Sequence, residues 1–160
     1  MDETLETQVS DALKARGWTI ALGESCTGGL LGHRLTQVPG SSDYFLGGVV
    51  AYAYDSKERL LGVRHQTLYD HGAVSRETAI EMARGARITF GADLGVSVTG
   101  IAGPAGGMPD KPVGSTWIAV STRTGDLAEH YLWQGDRTSN KESAADAALK
   151  LILRVIAEKA

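Results

Sequence analysis

The chain has 160 residues, 42% hydrophobic and 22% charged, with a formal net charge of −3. That length suits one domain with a proper core, and the composition suits an ordinary soluble globular protein. Lys and Arg are scattered among acids, which speaks against nucleic-acid binding through bulk charge. No apolar run approaches the ~20 residues that span a bilayer, and the single cysteine, Cys26, excludes an intrachain disulfide.

The acidic N-terminus, Met1-Asp2-Glu3-Thr4-Leu5-Glu6, does not read as a signal peptide. A lone cysteine suits a reducing cytoplasm, where the protein is expected to reside. His33, His65, His71 and His130 show no metal-ligand spacing, so neither a metal nor a cofactor is expected.

In chain order, Leu5, Val9, Ala12 and Leu13 share a helical face, predicting a first helix that ends near Gly17. Trp18 to Leu22 reads as a buried strand. It leads into Gly23-Glu24-Ser25-Cys26-Thr27-Gly28-Gly29 and a helix from Leu30 to about Gln37. Val38 to Ser42 is a turn, and Phe45 to Tyr54 a strand in which Gly47-Gly48 suggests a bulge or a close backbone approach. Asp55 and Glu58 resemble a capping box for a short helix through Leu61, and Ser75 caps a longer one carrying Ala79, Ile80, Ala83, Ala86 and Ile88. Asp93 to Thr99 is a strand, followed by the Gly-rich loop Gly100 to Gly107. Val113 to Thr122 and Leu127 to Gln134 form a hairpin around Gly125-Asp126, and Ser139 to Lys159 is a final helix. The alternation predicts a single α/β domain over residues 1–160: a three-layer α/β/α sandwich with a mixed, mainly parallel sheet.

A strand, a turn of small and hydroxyl residues and then a helix can expose a nucleophile, with free N–H groups beside it for an anion or oxyanion. Ser25 needs a base, and no histidine stands in a triad signature. Lys57, in the first turn of a short helix, sits where a helix dipole and burial would both favour the neutral amine. The same lysine also reads as a solvated residue on a surface helix. Tyr52 reads as strand packing or as a proton relay, and Cys26 as a small buried residue or an alternative nucleophile with its thiol pKa lowered by the helix. The loop Gly100 to Gly107 matches no P-loop and allows close approach to phosphate or ribose, or none. Arg137 reads as an exposed side chain or as a bidentate phosphate grip.

Seven stretches, taken together, resemble the CinA C-terminal family, the nicotinamide-nucleotide amidohydrolases. They are GESCTGG (23–29), VPGSSDY (38–44), GGVVAY (47–52), KERLLGV (57–63), GAVSR (72–76), SVTGIAGPAGG (97–107) and KPVG (111–114), in the family's order and across most of the chain. The resemblance implies a three-layer domain, often oligomeric, that hydrolyses the carboxamide of nicotinamide mononucleotide to nicotinic acid mononucleotide and ammonia. It implies Ser25 as nucleophile, Lys57 as base, and Tyr52, Ser42, Thr99 and Arg137 at further active-site positions. The N–H groups near Thr27, Gly28 and Gly29 are expected to hold either the oxyanion or the phosphate, and Gly100 and Gly103 of the Gly-rich loop to line the substrate. Nicotinamide mononucleotide is thus the expected small-molecule partner, a homo-oligomer the expected assembly, and neither nucleic acid nor membrane is expected. Two positions depart from the family pattern: Tyr54 stands where an asparagine is frequent, and Lys141 where a second arginine is common. At this length the chain resembles the stand-alone enzymes. The alternative reading is a non-catalytic nucleotide-binding or competence-associated interaction domain.

Overall fold

A computed structural model describes residues 3–159. The elements are α1 (Leu5–Arg16), β1 (Ile20–Glu24), α2 (Leu30–Leu35), β2 (Phe45–Val50), α3 (Tyr54–Leu61), α4 (His65–His71), α5 (Arg76–Phe90), β3 (Leu94–Gly100), β4 (Ser115–Thr122), β5 (Gly125–Leu132) and α6 (Arg137–Glu158). A 3₁₀ turn, Ser41–Asp43, precedes β2.

The five strands form one sheet in the order β2-β1-β3-β4-β5. β1 pairs in parallel with β2 and β3, while β3–β4 and β4–β5 are antiparallel. Only β4 is reversed, so the sheet is mixed, with parallel and antiparallel ladders equal in number. One face carries Ile20, Leu22, Val96, Val98, Ile118 and Val120 against α1, α2 and α6. The other carries Ala21 and Ala119 against α3, α4 and α5. This is the expected α/β/α sandwich. Small residues let α5 lie unusually close to the sheet: a Cβ on Gly95 would stand 2.0 Å from the Ala83 carbonyl.

Several boundaries differ from the sequence reading. β2 stops at Val50, because Ala51 N–H donates to the Glu24 carbonyl (2.8 Å) as the last rung and the chain then turns away. α3 is capped at Ala53, not Asp55: Asp55 is drawn to Arg59 (2.8 Å) and Glu58 to His65 (2.8 Å), so no capping box forms. The short helix α4 carries no distinct apolar period and was not anticipated. The hairpin turns at Arg123-Thr124 rather than at Gly125-Asp126, and α6 begins at Arg137, capped by Asp136. The bulge expected at Gly47-Gly48 is present: the register passes from Ile20↔Phe45 to Ala21↔Gly47 and skips Leu46.

Candidate active site

The ends of β1, β2 and β3 lie side by side, and the turn after β1 rests on that edge, with Ser25 N–H donating to the Val98 carbonyl (2.9 Å). Gly28 and Gly29 have φ of +60° and +105°, so the turn needs glycine at both positions before the chain can enter α2.

Lys57 reaches the same edge from the first turn of α3. Its side chain is 1% exposed, and Nζ stands 2.9 Å from Ser25 Oγ, 2.8 Å from the Ala51 carbonyl and 3.2 Å from the Tyr52 carbonyl. No carboxylate among the described residues pairs with it. Burial therefore outweighs the one opposing influence, the neighbouring Cys26, and pushes its pKa down to about 8. The solvated-surface reading of Lys57 is thus corrected. The geometry also fits the neutral amine: two N–H groups donate to the two carbonyls, and the lone pair is left facing the Ser25 hydroxyl.

A buried carboxylate that the motif reading passed over organises the turn. Glu24, 3% exposed, accepts from Thr27 Oγ1 (2.6 Å) and Leu31 N–H (2.9 Å) at Oε1, and from Gly32 N–H (3.0 Å) at Oε2. Gly28 N–H donates to the Ser25 carbonyl and Leu30 N–H to that of Thr27. The N–H groups of Cys26, Thr27 and Gly29 are left without an acceptor among the described residues. The only signal for Glu24 was a charged residue ending an apolar strand.

Arg137, at the start of α6, bridges two segments: Nη1 donates to the Gly103 carbonyl (2.8 Å) and Nη2 to the Tyr52 hydroxyl (2.9 Å). Tyr52 thus supplies its carbonyl to Lys57, while its ring is 56% exposed and its hydroxyl is held by Arg137. Asn140 fastens the Gly-rich loop, donating to the Ala102 carbonyl (3.0 Å) and accepting from Gly135 N–H (3.0 Å). Lys141 lies over the turn, its Nζ 3.8 Å from where a Gly28 Cβ would be.

Three expected residues have other neighbours. Thr99 is buried and donates to the Ala73 carbonyl (2.8 Å). Gly100 is pressed against β4, where a Cβ would meet Thr116 Oγ1 at 2.5 Å. Ser42 is exposed in the turn before β2, at the opposite end of the sheet. There Ile20 N–H meets the Tyr44 carbonyl, so the whole length of β1, about 15 Å, separates Ser42 from Ser25. One copy of the chain does not bring Ser42 to the site.

A family model described as the CinA C-terminal domain matches residues 2–156. The chain belongs to that family. A CinA-like protein of Salinibacter ruber is 52% identical over 155 residues, covering 97% of this chain and 38% of that protein. A CinA-like protein of Geobacter metallireducens is 49% identical over 152 residues, covering 95% and 37%. The chain therefore spans less than two fifths of the length of these curated relatives. Among solved structures, a CinA superfamily protein from Klebsiella pneumoniae matches with a TM-score of 0.93 at 34% identity, over 96% of both chains. The competence/damage inducible protein CihA from Agrobacterium tumefaciens matches with a TM-score of 0.90 at 36% identity, again over 96% of both.

Within this CinA domain the second nucleophile reading is overturned. Burial, reinforced by the nearby Glu24 charge and only partly opposed by Lys57 and Lys141, pushes the Cys26 thiol up to about 12. At neutral pH it is a protonated, buried thiol, not the helix-activated thiolate the sequence allowed. Among the described residues no three His, Cys, Asp or Glu side chains gather to hold a metal ion, and no helix is long and apolar enough to cross a membrane.

Proposed function

We propose that this domain is an amidohydrolase acting on the carboxamide of nicotinamide mononucleotide, with Ser25 as nucleophile and Lys57 as its base. The observation that carries the reading is the buried, carboxylate-free Lys57 amine 2.9 Å from Ser25 Oγ. A lysine of lowered pKa held against a serine hydroxyl does what histidine does in a triad.

In this scheme Ser25 Oγ attacks the carboxamide carbon as its proton passes to Lys57 Nζ. The tetrahedral oxyanion collapses, the C–N bond breaks, and Lys57 returns the proton to the departing ammonia. Water then attacks the acyl-serine with Lys57 again as base, releasing the carboxylate and restoring Ser25. Lys141, over the turn, and Arg137, between Tyr52 and Gly103, supply positive charge for the phosphate. Lys141 does so as a point charge, without the bidentate grip an arginine would give. Ser42 enters such a site only from a second copy of the chain, in keeping with a homo-oligomer.

The test is ammonia release from nicotinamide mononucleotide by the purified domain. Wild type turns over, and Ser25→Ala loses ~10⁴-fold or more in kcat with its circular dichroism unchanged. Tight binding of the nucleotide by calorimetry without ammonia release, in wild type, would make the domain a binding module instead.

A further inference from the structure

The N-terminus of α2 is the obvious anion site next to Ser25, and it is already filled. Glu24 places a carboxylate on the Leu31 and Gly32 N–H groups and ties Thr27 Oγ1 to the same oxygen. Those groups are therefore closed to a phosphate or an oxyanion. The turn between them and Ser25 still presents the unengaged N–H groups of Cys26, Thr27 and Gly29, and it is Glu24, through Thr27, that fixes where they point.

We propose that Glu24 is a positioning residue of this site. By occupying the helix N-terminus it confines oxyanion stabilisation to the Cys26, Thr27 and Gly29 N–H groups of the turn, and by gripping Thr27 it holds that turn in place relative to Ser25. The proposal rests on Ser25 being the nucleophile, as set out above. Its consequence for binding is that a substrate phosphate goes to the Arg137 and Lys141 side of the turn and not to α2.

Glu24 suits the task because of its chemistry as well as its place. It meets three donors, one O–H and two N–H, and an ionised carboxylate has only acceptors to offer them. Glutamine in the same position would turn an NH₂ toward one of those donors. The negative charge also complements the positive end of the helix, so the turn stays fastened without an external anion.

The experiment measures covalent labelling of Ser25 by a fluorophosphonate, followed by mass spectrometry. Ser25 Oγ displaces fluoride from phosphorus, its proton passing to Lys57, while charge grows on the phosphoryl oxygen as it would on an amide oxyanion. The readout is therefore independent of which amide the enzyme prefers. Glu24→Gln is expected to slow labelling roughly a hundredfold and Thr27→Val roughly tenfold, the scale of weakening one oxyanion donor. Thr27→Ser, which keeps the hydroxyl, labels at close to the wild-type rate. The pH midpoint of labelling, set by Lys57 near 8, stays the same in all of them. With nicotinamide mononucleotide the loss falls on kcat, with KM within twofold.

Folded Glu24→Gln or Thr27→Val labelling at the wild-type rate would overturn the proposal. So would a loss explained wholly by a moved pH midpoint, because Glu24 would then act on Lys57 and not on the turn. Should Glu24→Gln fail to fold, the Thr27→Val and Thr27→Ser pair decides, since both leave the α2 cap in place. Wild type that labels at Ser25 yet releases no ammonia refutes the substrate while Glu24 is still judged by labelling. Wild type that does not label at Ser25 refutes the nucleophile and Glu24's role with it.

Discussion

Two cations withdrawn from water show how the fold separates chemistry from support. Arg34, on α2, is held by Glu6 and Asp146, each at 2.5 Å. Burial opposes its charge, but the two carboxylates outweigh burial and raise its pKa. Lys57 is buried more deeply and is given only carbonyls and a hydroxyl, so burial wins and its pKa falls to about 8. A partner carboxylate makes a cation permanent and structural. Withholding one leaves an amine that can exchange a proton near neutral pH.

The largest effect expected from that contrast is on Lys57→Met. It should lower kcat by ~10³-fold or more, yet raise stability. With a folded pKa of about 8 against 10.5 unfolded, the unfolded chain binds more protons between those values. Wild-type stability therefore rises from pH 8 to 10.5, and below pH 8 it carries the full penalty of burying the ammonium. The methionine variant escapes that penalty but leaves two carbonyls without their donor. A net gain of about 1–2 kcal/mol at pH 7, fading above pH 10, is expected in urea denaturation. Equal or lower stability at pH 7 would mean that Lys57 is paired after all.

Next in size is the pH dependence. Only neutral Lys57 accepts the Ser25 proton, so kcat/KM should climb about tenfold per pH unit below the pKa and level off above about 8. A rate that is flat from pH 6 to 9 would remove Lys57 as base.

Arg34→Met is the mirror case. It strands two carboxylates, so a loss of about 1–2 kcal/mol in urea denaturation is expected, with kcat per folded molecule within about twofold. A catalytic collapse without loss of stability would break the division between the two cations. The smallest effect is expected at Cys26→Ala. Its thiol stays protonated at pH 7, so activity should remain within about threefold and iodoacetamide should not label wild type there. Rapid alkylation would show a thiolate.

Most of the architecture was legible because local pattern and global fold agree. The period of Leu5, Val9 and Leu13, the apolar run before Ser25 and the Gly47-Gly48 bulge are each decided within a few residues. The start of helix α3 was misplaced by two residues, though its end at Leu61 was not, because Asp55 and Glu58 answered to Arg59 and His65 rather than to the helix end. The contact of Lys57 with Ser25 spans 32 positions, and sequence offered only the residue types for it. Glu24 was missed for a different reason: its two backbone partners lie seven and eight residues on, and the one partner three residues on, Thr27, is a hydroxyl in the turn and not a helix N–H that a capping pattern looks for. Ser42 joined the expected site by resemblance alone, and the sheet puts it at the far end.

The fastening of the Gly-rich loop has a bearing on synthesis. Ser25, Lys57 and the loop leave the ribosome before Arg137 and Asn140, which follow the Gly103 and Ala102 carbonyls they hold by 34 and 38 residues. A growing chain thus carries Ser25 and Lys57 for some time before the clasp arrives. The domain becomes a finished site only as its last helix is translated and docks.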